Sequence, residues 1–153
     1  MRTLATAFGI AAAPRPESAR LGVELERLGY AELWSNDTRR GDGLAALAAG
    51  TARSPGLAVG VGVIALSDQP PHRIAERVAA YGIAPDRLTV GVGSGSSASL
   101  ALVRDGVVEL RRLLPEHAIA VAAVGPRMAR LAGETADAVV ANWALPDRLR
   151  LVL

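Results

Sequence analysis

The chain contains no cysteine and no lysine. The first absence removes disulfides, thiolate nucleophiles and every zinc or iron–sulfur site built on cysteine. The second removes a Schiff-base amine and a phosphate-loop lysine. All 17 basic side chains are therefore arginines, and they are scattered along the chain. With a formal net charge of only +2, the sequence pI of about 9.9 overstates how basic the surface is. This excludes nucleic acid as an expected partner. Histidine is nearly absent too: His72 and His117 stand alone and too far apart for a paired metal motif, so no metal site is expected. Aromatics make up 3% of the chain, and no apolar run approaches the roughly 18 residues of a membrane span. The N-terminal run MRTLATAFGIAAAPRPE is too weakly apolar, and too broken by Gly9, for a signal peptide. The expectation is a cytoplasmic protein with no membrane partner.

What remains is rich in Ala, Val and Leu. Half of the 153 residues are apolar, enough for one soluble domain covering 1–153. Short apolar runs recur at Leu4–Ile10, Ala31–Trp34, Leu57–Ala65, Leu88–Gly93, Ile119–Val124 and Ala138–Asn142, each long enough for a buried strand. Helical spacing lies between them. Leu21, Leu25 and Leu28 follow Pro16 and stop at Gly29, and Ile74, Val78 and Tyr81 stop at Gly82. Leu100, Val103, Val107, Leu110 and Leu114 form one stripe ended by Pro115, and further helices open at Pro126 and Pro146. Alternating βα units with fully apolar strands predict an α/β fold with a parallel sheet. Two architectures fit the pattern: an incomplete TIM (β/α)8 barrel of about six βα units, and an open doubly wound sheet.

Two stretches carry the chemistry. In GVGSGSS, residues 91–97, alternating glycines at a strand end let backbone approach a ligand and present N–H groups and serine hydroxyls, an anion cradle. In VGPRM, residues 124–128, Pro126 opens a helix whose first amides and dipole point past the strand end, with Arg127 adding charge. Either stretch also has a plain conformational reading, as a tight turn and as an ordinary proline helix start. Asp37 in LWSND is a turn or cap residue on the same terms. Trp34 and Trp143 are expected in the core or at the sheet mouth, and His72 at a helix start in a structural role.

GYAELWSNDT (29–38), the stretch 54–95 ending LTVGVGSG, and AVAAVGPRMARLAGETADAVVANW (120–143) together resemble the luciferase-like monooxygenase superfamily, in order and over most of the chain. The resemblance implies a TIM barrel that binds FMN or coenzyme F420 and moves a hydride to or from a small organic substrate. It implies that the cofactor phosphate is held by Gly93, Ser94, Gly95, Ser96 and Ser97 together with Gly125, Pro126, Arg127 and Met128. It also puts Asp37 and Thr38 on the ring side as the candidate catalytic pair.

The departures from that family bear on chemistry. Many F420-using relatives carry a histidine where this chain has Thr38, whose hydroxyl does not titrate near neutral pH. Ser96 and Ser97 stand where some relatives place an acid. A single helix, Ser97 to Leu114, spans the gap that relatives fill with a long covering insertion. The chain stops where a sixth helix should begin, leaving the last two βα units without a counterpart. Open strand edges, and the apolar Leu149, Leu151, Val152 and Leu153, predict a homo-oligomer that covers them. A non-catalytic relative acting as a cofactor-binding or partner-binding subunit is the alternative to an active oxidoreductase.

Overall fold

The computed structural model describes residues 5–12 and 15–141. Strands and helices alternate without exception: β1 Ala7–Ile10, α1 Arg15–Arg27, β2 Glu32–Ser35, α2 Gly43–Thr51, β3 Ala58–Ala65, α3 Pro71–Tyr81, β4 Leu88–Gly93, α4 Leu100–Leu113, β5 Ala118–Ala122, α5 Pro126–Thr135 and β6 Ala138–Val140. The expected punctuation is in place. Helix α3 opens with proline in its first turn and closes at Gly82, whose φ of 60° is the left-handed conformation that glycine adopts freely. Helices α2 and α4 are capped by side chains, Asp42 accepting from the Ala45 amide at 3.0 Å and Ser99 from the Leu102 amide at 3.2 Å. Asn142, Trp143, the helix start at Pro146 and the C-terminal leucines lie outside the described residues.

The six strands form one sheet in the order β1-β2-β3-β4-β5-β6, and every pairing is parallel. This overturns the doubly wound alternative. A doubly wound sheet reverses its strand order at a switch point and sends helices to both faces. Here chain order equals sheet order, and each helix packs beside the next, α1 on α2 through to α4 on α5. All crossovers lie on one face. The result is an incomplete (β/α) barrel, an open arc of six parallel strands with five helices between them among the described residues. Strands β1 and β6, whose edges were expected to be covered by a second copy, each have one strand neighbour among the described residues.

The core fills the space between the sheet and its helices. Leu33, Val59, Val61, Ile64, Val90, Val92, Ile119 and Val121 point from the strands toward Leu44, Leu47, Ile74, Val78, Val107 and Leu110, all buried. The opposite, inner face sets glycines such as Gly60, Gly91 and Gly93 beneath the larger Trp34 and Val63. Trp34 lies flat across β3, where a Cβ on Gly60 would come within 2.5 Å of the ring, and its indole N–H donates to Glu32 Oε2 at 2.6 Å. The register of β3 against β4 shifts between Val61 and Ile64, and the Gly62–Val63 peptide is cis. Val63 reaches over Gly91 and Gly93, which leave room for it.

Candidate functional site

Clefts open at the strand C-terminal ends. The first, of about 440 Å³, lies between the loops after β2 and β3 and includes Asp37, Thr38, Arg39, Asp68 and Gln69 in its lining. Asp37 and Thr38, the candidate catalytic pair, both line this cleft. Their states differ. The Asp37 side chain is 4% exposed and accepts four hydrogen bonds: from the Gly43 amide at 2.9 Å, from Gln69 Nε2 at 3.0 Å, and from both terminal nitrogens of Arg77 at 3.0 and 2.8 Å. A carboxylate has about four lone-pair sites, so all are taken. Bidentate arginine pairing of this kind offsets the cost of taking a carboxyl group out of water. Hydrogen bonding by Asp37, opposed by burial, pushes the Arg77 guanidinium further above its already high range.

Arg77 also bonds Asp42 at 2.7 Å. Burial works against the Asp42 charge, but hydrogen bonds from the Tyr81 hydroxyl, the Ala45 amide and Arg77 outweigh it and hold the carboxyl below its ordinary range. The network thus ties the loop after β2, the start of α2 and the length of α3 into one unit. Thr38 is exposed; its hydroxyl accepts from the Arg40 amide at 3.3 Å, inside a tight turn closed by Thr38 and Gly41. An ion pair from Arg39 to Asp68 at 3.0 Å spans the cleft at its rim. Sequence reading missed Arg77 and Gln69. The available signal was that Arg77 sits between Ile74 and Val78, a cation at the border of a buried stripe.

The second cleft, of about 460 Å³, lies between the loops after β4 and β5. Its walls include Ser94 from one loop and Gly125, Pro126, Arg127 and Met128 from the other, which are two of the predicted groups brought face to face. Gly93 is buried behind it, in β4. Gly95, Ser96 and Ser97 are not on its walls. They form a short 3-10 turn directed at the loop after β3, where the Ser96 amide donates to Ser67 Oγ at 3.3 Å and Gly95 packs against Ser67. The Ser97 hydroxyl donates to the Ser94 carbonyl at 3.0 Å. Residues the sequence did not single out complete the cleft: Ala98, Leu100, Ala122 and Val124 form an apolar wall, with Val124 88% exposed.

The start of α5 suits an anion. Its cap residue, Gly125, supplies no side chain, and no side-chain hydrogen bond caps the helix, so the amides of its first turn face the cleft with the positive end of the dipole behind them. Arg127 is exposed beside them and makes no ion pair among the described residues. Among the described residues no acid or histidine lines this second cleft. His117 is far from both, just before β5; burial pushes its imidazole below the ordinary histidine range, and neither ring nitrogen has a hydrogen-bond partner among the described residues. Among the described residues no cluster of His, Cys, Asp and Glu is arranged to hold a metal, and no helix is long and apolar enough to cross a membrane.

No family model and no curated protein sequence matches the chain. Solved structures do. The coenzyme F420 dependent tetrahydromethanopterin reductase from Methanopyrus kandleri superposes with a TM-score of 0.69 at 13% identity, over 90% of this chain and 55% of its own. Monooxygenase RslO1 from Streptomyces bottropensis superposes at 0.74 with 20% identity, over 96% of this chain and 64% of its own. The chain shares their fold. A mandelate racemase/muconate lactonizing enzyme from Roseiflexus sp. is also similar, at 0.56 and 18% identity, over 89% of this chain and 39% of its own. The chain therefore spans less than two thirds of the length of each of these structures.

Proposed function

We propose that the chain is a luciferase-like oxidoreductase domain that binds FMN or coenzyme F420, with the cofactor phosphate seated between Ser94 and the first turn of α5. The observation that carries this reading is the second cleft: uncapped helix amides, an arginine with no ion pair among the described residues and an apolar wall meet in one place. A phosphate fits the amides and Arg127, and an extended organic group fits Ala122, Val124 and Leu100. The fold shared with an F420-dependent reductase and a monooxygenase supports the same reading.

When bound, such a cofactor supplies hydride transfer to or from a small organic substrate. The chain's own residues hold and orient it. Thr38 is placed to hydrogen-bond at the mouth of the first cleft, and Asp37, with its lone pairs filled, positions the loop that carries Thr38. Proton transfer by Asp37 is not part of the proposal. Titration of the purified protein with FMN and with F420, followed by fluorescence, tests the site. Binding in the micromolar range that falls by about 100-fold in Arg127→Glu is the expected result, since a charge reversal replaces attraction of the phosphate by repulsion. Equal affinity in the variant would show that α5 does not hold the phosphate.

A further inference from the structure

A third cleft, of about 340 Å³, runs outward between α4 and α5 and shares Leu100 and Arg127 with the α5 cleft. Among the described residues its walls carry three guanidinium groups, Arg104 from α4 and Arg127 and Arg130 from α5, against one carboxylate, that of Glu134. Residues 127, 130 and 134 follow one face of α5, and residues 100 and 104 follow the facing side of α4, so helical spacing itself lines the arginines along the groove. We infer that the ligand of the α5 cleft carries anionic groups beyond its first phosphate, and that these extend along this groove onto Arg104 and Arg130. The inference rests on the cofactor reading above and narrows it to phosphate cofactors with an oligoanionic tail.

The existing partners of the two outer arginines do not oppose this. Arg104 pairs with its chain neighbour Asp105 at 3.1 Å and Arg130 with Glu134 at 3.2 Å, and all four side chains are well exposed. Exposed pairs of this kind hold their geometry weakly, so either guanidinium can turn to an incoming anion. Arg127 makes no such pair among the described residues and is common to both clefts. From Arg127 to Arg130 the helix advances about 5 Å, roughly the distance from one phosphate to a second anionic group on the same chain. A ligand ending in a single phosphate would leave Arg104 and Arg130 unused. Carboxylates on a glutamyl tail and the second phosphate of a dinucleotide meet the same requirement.

The test is a titration of the wild-type chain and of the double variant Arg104→Gln, Arg130→Gln with four probes. These are FMN, FAD, F420 with its glutamyl tail, and F420 stripped of its glutamates. The expected result is that wild type binds at least one tailed probe about tenfold tighter than its shorter counterpart, and that the double variant loses this advantage while binding the short probes unchanged. Whether FAD or tailed F420 shows the advantage identifies a phosphate or a carboxylate as the outer anion. Equal affinity for tailed and short probes, or equal losses for both in the double variant, would overturn the inference and leave the phosphate site standing. Binding of none of the four would overturn the cofactor reading and this inference together. A thermal melt of the double variant, expected to match wild type because both side chains are exposed, excludes unfolding as the cause of any loss.

Discussion

Asp37 shows how a residue can sit in a functional place and be committed to structure. It borders the first cleft, yet Arg77, Gln69 and the Gly43 amide occupy its oxygens. Replacing it with alanine would leave Arg77, among the described residues, only its ion pair with Asp42 and would unpair the Gly43 amide and Gln69, a loss of about 2–3 kcal/mol. Asp37→Ala is therefore expected to lower the urea midpoint markedly at unchanged slope. A variant of undiminished stability that failed to bind or turn over ligand would instead give Asp37 a direct role. Trp34 makes the complementary point. Its neighbours have given way to it, with Gly60 and Gly62 beneath the ring and Glu32 holding the indole N–H.

Among the elements, the contact of α1 with α2 leaves the least tolerance. A Cβ added to Gly22 would fall 1.9 Å from the Gly50 carbonyl oxygen, a backbone atom that has no rotamer to yield. Gly22→Ala is expected to force the helices apart and to cost about 1–3 kcal/mol, read as a lowered melting temperature. Gly133 on α5 is the control, since nothing lies within 4 Å of the added carbon and alanine favours a helix. Gly133→Ala should melt at or above wild type.

How far these elements were legible depended on local pattern. The stripe of α4 and the proline and glycine bounding α3 are short-range signals, and both helices lie where spacing put them. Helix α2, GLAALAAGT, has buried residues nearly all round and no polar face, so it shows no stripe to read. Strand order was not legible, because a barrel and a doubly wound sheet repeat the same βα pattern. The start of α5 and Ser94 could be named from glycine and proline alone. The partners of Asp37 could not, since Arg77 lies 40 residues away and only the folded sheet brings α3 beside the loop after β2.

On the scale of the whole molecule, the likeness to the reductase and to the monooxygenase covers nearly all of this chain but at most 64% of theirs. In the described arc each strand pairs only with the strands before and after it, and β1 and β6 have a single partner. Such a ladder has no contact that closes it into a ring, so opening can begin at either margin without disturbing the middle. Time should then be written across the sheet. In native-state hydrogen exchange the amides of β1 and β6 are expected to exchange first, those of β2 and β5 later, and those of β3 and β4 last, near the global unfolding limit. Equal protection across all six strands would mean that the arc opens as one cooperative unit.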